Sequence, residues 1–194
     1  MSAPTIRPWQ PGDSLADLTA LLHRAYAPLA AAGMNFTAAT QTADMTAQRM
    51  AGAHTWVAVA ADGTLVGTVT AAGPFDANTQ GWAHALPWFY RADVAHFHKY
   101  AVDPALQRQG VGAALLQAAE DWARSAGHRA MLLDTAVPAT ALRRRYARAG
   151  YADIAGVQWQ GKTYRSVVMV KPLTPPGQPA PTDTEPAHHA ATVR

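Results

Sequence analysis

The residues best placed to do chemistry lie between Ala95 and Gly112. The run Tyr100 to Gly112 reads Tyr-Ala-Val-Asp-Pro-Ala-Leu-Gln-Arg-Gln-Gly-Val-Gly and passes from a strand pattern through a turn into a helix. The first amides of a helix have no intrahelical acceptor and add to the positive end of the helix dipole, so such a junction favours a bound phosphate. Glycine at 110 and 112 lets the backbone come close to that phosphate. The same pattern also suits a tight strand-to-helix turn with no ligand. Upstream, a period of two places His96, His98, Tyr100 and Val102 on one face of the strand and Phe97, Lys99 and Ala101 on the other. Two imidazoles on one face are proton acceptors matched to neutral pH, or two rings packed into a sheet.

These residues need a scaffold, and apolar periodicity supplies its outline. A strand at Thr5 to Trp9 is followed by Pro11-Gly12 and a helix carrying Leu15, Leu18, Leu22, Ala25, Tyr26 and Leu29, with Ser14 and Asp17 resembling a capping box. A weaker helix spans about Thr42 to Met50, with Met45 and Met50 assigned to the core. His54 to Ala60 and Leu65 to Thr70 read as an antiparallel hairpin about Asp62-Gly63. Gly73 to Asp93 is a long connection whose Trp82, Trp88, Phe89 and Tyr90 either plug the core or line a substrate pocket.

After the strand Ala95 to Val102 come the glycine turn, a helix with Leu115, Ala119 and Trp122, and a buried strand at Ala130 to Thr135. Pro138 suits the first turn of a further helix with Leu142, Tyr146 and Ala149 on its apolar stripe. A final hairpin joins Tyr151 to Trp159 and Tyr164 to Val170 about Gln160-Gly161. Residues 1–173 therefore read as one α/β domain. Residues 174–194, proline-rich and almost without large apolar side chains, read as a disordered tail.

Composition removes several classes of function. A chain of 194 residues that is 49% hydrophobic has enough material for one sizeable core. The absence of cysteine excludes disulfides, thiolate metal sites and a thiol nucleophile. The first ten residues contain no apolar leader segment and no later run has the length of a membrane span, so a soluble, cytoplasmic protein is expected. A net charge of +3 fits an anionic partner, and no nucleic-acid motif accompanies it. A P-loop lacks its Gly-Lys-Ser/Thr here, and a Rossmann fingerprint lacks one glycine. No carboxylate-histidine spacing supports a metal centre built on His84, His96 and His98, so no metal is expected.

Gln107-x-x-Gly110-x-Gly112 after Val102-Asp103-Pro104 resembles the Q/R-x-x-G-x-G/A segment of the GNAT superfamily, the acyl-CoA-dependent N-acyltransferases. Tyr146-Ala-Arg-Ala-Gly150-Tyr151 is similar to that family's Tyr-x-x-x-Gly-Phe/Tyr signature and stands one strand and one helix later. The resemblance covers nearly all of residues 5–171. It implies a mixed central sheet, splayed at the coenzyme site, with helices on both faces. It further implies that acetyl-CoA binds with its pantetheine arm along Ala101 and Val102 and its pyrophosphate on the amides of Gln107, Arg108, Gln109, Gly110, Val111, Gly112 and Ala113. Arg143 or Arg144 would reach the ribose phosphate.

Tyr146 matches the family tyrosine that protonates the departing thiolate, and a phenol of intrinsic pKa about 10 holds its proton for that purpose. The bland alternative leaves Tyr146 in the core. Where many members carry a glutamate on the coenzyme strand, this chain has His96, and His96-Phe-His98-Lys-Tyr-Ala101-Val102 is similar to the His-x-His-x-x-Ala-Val segment of arylalkylamine N-acetyltransferases. There the paired histidines help remove the amine proton through water. A second departure is Pro138-Ala-Thr140, where the family often has an asparagine. The implied function is transfer of acetyl from acetyl-CoA to a primary amine of a small molecule or peptide, by direct attack in a ternary complex, by a monomer or homodimer. Tyr26, Phe36, Trp82 and Trp88 are the candidate acceptor contacts. The rival reading is a non-catalytic acyl-CoA sensor.

Overall fold

The computed structural model describes residues 3–173, so the tail expected at 174–194 lies outside the described residues. The strands are β1 (Thr5–Pro8), β2 (His54–Val59), β3 (Leu65–Ala72), β4 (Val94–Val102), β5 (Ala130–Ala136), β6 (Ala152–Val157) and β7 (Ser166–Pro172). The helices are α1 (Leu15–Ala31), α2 (Ala43–Gln48), α3 (Val111–Ser125) and α4 (Thr140–Arg148). The strands order as β1-β2-β3-β4-β5-β7-β6 in one sheet. Pairing is antiparallel for β1/β2, β2/β3, β5/β7 and β6/β7, and parallel for β4/β5. This is the mixed sheet with flanking helices expected above.

The chain forms two compact units. The first runs through Ala72 and adds Phe97–Trp122; the second joins Gly73–His96 to the described residues from Ala123 onward. β4 changes unit between His96 and Phe97. Its register with β5 is Val94 to His96 against Ala130 to Leu132, the first three residues of the strand.

In the first unit, α1 begins where the Ser14 hydroxyl accepts the amide hydrogen of Asp17 at 3.1 Å, as its spacing predicts. Leu18, Leu21 and Leu22 recur at helical spacing and are buried, Leu18 and Leu21 packing with Val57 and Leu65 of the β2/β3 hairpin. That hairpin turns at Gly63, whose φ of 87° is left-handed. The Thr42 hydroxyl accepts from the Met45 amide and starts α2, a helix of six residues. Met45 corrects the sequence assignment. It is an exposed side chain, whereas Met50 packs against the cluster under α1.

β4 also corrects its expected alternation. Lys99 has φ 51° in the middle of the strand, a conformation rare outside glycine, and it breaks the period of two. His98 and Lys99 consequently reach the same backbone oxygen, although regular alternation would point them to opposite faces.

In the second unit, β5 supplies Met131, Leu132 and Leu133, and β7 supplies Val168 and Met169, all buried. Pro138 precedes α4 rather than standing in its first turn, because Ala139 is the N-cap. The Gly73–Asp93 connection is ordered by two 3-10 turns, Gly81–Ala83 and Pro87–Tyr90. Its Ala83, Leu86 and Phe89 join Val94, Leu132 and Val168 in one core.

Space is tight around Gly67 on β3 in the first unit. A Cβ built there would lie 2.8 Å from Leu115 Cδ1, 3.2 Å from Ala58 Cβ and 3.3 Å from the Ala101 backbone oxygen. Leu115 is fully buried and has little room to yield. Gly67→Val should therefore lower stability by about 1–3 kcal/mol through overpacking. Urea unfolding of the variant beside wild type checks it, and an unchanged midpoint would mean that the α3/β3 packing has slack.

Candidate active site

The strand-to-helix junction in the first unit is built from the backbone. The Asp103 amide donates to the Val66 oxygen at 2.8 Å, which ties the end of β4 to β3. The Asp103 carboxylate accepts from the Ala105 amide at 3.1 Å and from the Arg24 guanidinium at 3.1 Å, so this turn is anchored on α1 as well. Arg108 has φ 66° and Gly110 φ 85°, two left-handed residues within three positions. Left-handed residues in a turn can point successive amides to one side, which is the arrangement of anion-binding concavities in general. The first helical hydrogen bond of α3 runs from the Ala114 amide to the Gly110 oxygen at 3.0 Å, so the amides ahead of Ala114 have no intrahelical acceptor. Gln107, Arg108, Gln109, Gly110 and Ala113 are exposed, while Val111 and Gly112 are buried. Ala101 and Val102 are buried at the end of β4. Beside them Tyr26 donates its hydroxyl to the Tyr100 oxygen at 3.2 Å and packs with Phe36, ring centroids 5.4 Å apart. Tyr26, Leu22, Ala38 and Ala101 form one apolar cluster.

The titratable side chains of β4 have separate sets of neighbours. His96 is 8% exposed and meets Phe75 edge-on at 4.5 Å and Phe89 at 6.3 Å. Burial pushes its pKa down to about 4; a hydrogen bond with the Gly73 backbone opposes that, and the nearby His128 adds to it. His98, half-buried, has Nε2 3.1 Å from the Arg49 oxygen. Lys99 is 4% exposed and donates from Nζ to the same oxygen at 2.5 Å, with His98 Nε2 3.2 Å away.

Tyr146 lies in the second unit, 4% exposed on α4, with the Tyr151 ring 6.2 Å away. Its backbone oxygen accepts from the Ala149 and Tyr151 amides at 3.0 Å, and Gly150 between them has φ 95°, which ends the helix. Arg143 is held by Asp153 at 2.5 Å, and Arg144 is exposed. Phe75 organises the aromatic connection, stacking on Phe89 at 4.7 Å and meeting Trp82 at 5.2 Å. Trp82 is 62% exposed and meets Trp159 edge-on at 5.0 Å; Trp88 lies under the Arg91 guanidinium at 4.4 Å. A cavity of about 260 Å³ opens beside these rings, lined by Ala77, His84, Pro87, Tyr90 and Arg91.

Residues 18–151, more than half the chain, match the profile of the Acetyltransferase (GNAT) family. The chain belongs to that family. Among curated relatives it is similar to the aminoglycoside N(6')-acetyltransferase type 1 of Klebsiella aerogenes, 38% identical over 69 residues. That match spans 36% of this chain and 45% of the relative, less than half its length. Among solved structures it shares its fold with the ribosomal-protein-S18-alanine N-acetyltransferase of Escherichia coli, with a TM-score of 0.65, 18% identity, and coverage of 90% of this chain and 96% of that one. It also shares its fold with a GNAT acetyltransferase of Elizabethkingia anophelis solved with acetyl-CoA bound, with a TM-score of 0.61, 14% identity, and coverage of 89% and 99%.

In this GNAT chain the turn residues named from the sequence, Gln107 to Ala113, follow Ala101 and Val102 within one unit, and Tyr26 and Phe36 pack beside Ala101. Trp82 and Trp88 belong to the other unit with Tyr146 and His96, and His98 belongs to the first. Sequence reasoning missed Lys99. One signal could have found it, because a lone lysine in an otherwise apolar and aromatic strand is a buried charge unless the backbone turns it out.

His96 makes folding sensitive to acid. Its folded pKa, about 4, lies below the ordinary value of 6.5, so between those values the unfolded chain binds the proton more tightly. Stability is present in full above pH 6.5 and falls as pH drops towards 4, by about 3 kcal/mol for this group. His96→Gln, which does not titrate, should have a shallower dependence of unfolding free energy on pH across that window. Equal slopes for the two proteins would place the His96 ring in contact with water.

Proposed function

We propose that this protein is an N-acetyltransferase that moves an acetyl group from acetyl-CoA to a primary amine of a small molecule or peptide, by direct attack in a ternary complex. The observation that carries the reading is the junction between β4 and α3, where left-handed Arg108 and Gly110 precede the free amides of a fifteen-residue helix. That geometry suits a pyrophosphate, and family membership supplies the coenzyme that bears one. The pantetheine arm would lie along Ala101 and Val102, with the pyrophosphate on the amides of Gln107 to Ala113.

The acceptor nitrogen is its own nucleophile, since the chain contains no cysteine and needs no covalent intermediate. Acyl transfer then depends on holding both reactants close and on stabilising the oxyanion with backbone donors. Tyr146 gives its proton to the leaving thiolate. The acceptors for which these proteins are named, an aminoglycoside and a protein alanine, are both amines but share little shape, and the feature common to them is the amine.

A panel of amines assayed for CoA release tests the reading, and acetyl-CoA binding without turnover of any amine would favour the sensor instead. Gly112→Val should weaken acetyl-CoA binding in calorimetry while the domain stays folded, because a branched side chain at this buried helix position crowds the amides that face the phosphates. An unaltered affinity would take the turn out of the site. Tyr146→Phe keeps the buried ring and removes the hydroxyl, so kcat should fall more than coenzyme affinity. An unchanged kcat with chemistry rate-limiting would return Tyr146 to a packing role.

A further inference from the structure

We propose that His98 and Lys99 form one proton-accepting pair, seated on the backbone oxygen of Arg49, that takes the proton an amine must lose before it attacks acetyl-CoA. This rests on the transferase reading above. The geometry is a triangle: Lys99 Nζ to Arg49 O 2.5 Å, His98 Nε2 to Arg49 O 3.1 Å, and Nζ to Nε2 3.2 Å. Arg49 is the C-cap of α2, so its oxygen is one of the carbonyls a helix leaves without an intrahelical donor. Two adjacent strand residues reach it only because Lys99 is left-handed, at φ 51°. A bulky residue holds that conformation at a cost of roughly 1–3 kcal/mol, which the surrounding contacts must offset.

The triangle has two arrangements of its protons. With the extra proton on Lys99, Nζ donates both to the Arg49 oxygen and to an unprotonated Nε2. With the extra proton on His98 instead, Nε2–H is donated to the Arg49 oxygen or to the lone pair of a neutral Nζ, and the pair without that proton leaves Nε2 open to accept. Two positive charges 3.2 Å apart repel, so the pair takes up one proton at a time. Burial brings the lysine into the useful range, lowering its pKa to about 7, and the Arg49 guanidinium pushes in the same direction. Among the described residues, Lys99 meets the Arg49 guanidinium, from the end of α2, and the titratable ring of its own neighbour His98. His98 is the more exposed partner and makes the exchange; Lys99 acts through it and is a positioning residue.

The proton balance is simple. An ammonium substrate gives one proton to His98 Nε2, leaving a neutral amine and a monocationic pair. The amine lone pair forms the C–N bond, the C–S bond breaks, Tyr146 protonates the departing thiolate, and the second nitrogen proton returns through water to restore the Tyr146 phenol. The pair then returns its proton to water through His98.

A purely structural role, in which a lysine and a histidine cap the last turn of α2, makes a different prediction. Lys99→Arg keeps a donor for the Arg49 oxygen but holds its charge permanently. If the pair shares a proton, this variant should lose about 10²-fold in kcat/KM, the low end of general-base help, and the rising limb of its pH profile should move. If the role is capping alone, Lys99→Arg should restore what Lys99→Met loses, with the limb where it was. NMR titration of the wild-type protein reads the same question without turnover: the Lys99 ε-methylene and the His98 ring should shift together, with a midpoint near 7. A Lys99 midpoint near the ordinary 10.4, or two independent titrations, overturns the pair even if the enzyme is active. A wild-type protein that binds acetyl-CoA and shows the shared titration but acetylates no amine overturns the transferase reading, and the pair's part in it.

Discussion

A strand buried on both faces has no place for a charge, and β4 carries His96, His98 and Lys99 in succession with apolar and aromatic neighbours. Each side chain meets that constraint differently. His96 gives up its charge among aromatic rings. His98 keeps one edge towards a carbonyl and stays half-buried. Lys99 is buried and can satisfy its amine only by leaving the regular course of the strand. The left-handed backbone at Lys99, the position of α2 and the low lysine pKa are three aspects of one solution, because an unpaired ammonium in this strand would be more costly than the backbone distortion that pairs it.

Much of the fold was legible because its signals are local and redundant. The Asp62-Gly63 hairpin, the Ser14 cap, the order of strands and helices, and the Gln107 to Gly112 turn each follow from residue types at fixed spacing. Glycine at 63 and 110 adopts the positive φ that its lack of a Cβ permits. The alternation of β4 was not legible. Period-two reasoning assumes a uniform backbone, and a left-handed lysine has no compositional mark of its own. The exposure of Met45 is hidden for a related reason: a six-residue helix is too short for its apolar stripe to be defined by periodicity.

The aromatic connection shows where sequence supplies the parts and packing decides their use. Nothing in Gly73 to Asp93 marks Phe75, yet its ring lies at the centre, touching Phe89, Trp82, Tyr90 and His96. Phe89 closes the core, while Trp82 remains mostly exposed, tilted against Phe75 and edge-on to Trp159. A single name for the stretch, plug or pocket wall, does not fit residues with such different burial. Any acceptor recognition here would fall to the exposed rings, since the buried ones already have their partners.

The distribution of arginines bears on how an anionic coenzyme would be held. Arg7 is paired with Asp13, Arg24 with Asp103, Arg91 with Asp93 and Arg143 with Asp153. Asp13 and Asp93 are correspondingly held below the ordinary carboxylate range, first by hydrogen bonds from their arginines. An arginine that already has a carboxylate must break or share that pair to bind a phosphate, which reduces its net gain. Backbone amides at the start of α3 face no such competition, and their dipoles are fixed by the fold before the ligand arrives. An arginine-built site would depend strongly on ionic strength through screening of exposed charges, whereas an amide-built one depends on it less. The modest net charge of +3 is compatible with the second design, in which helix geometry would hold a phosphate without a large surplus of basic side chains.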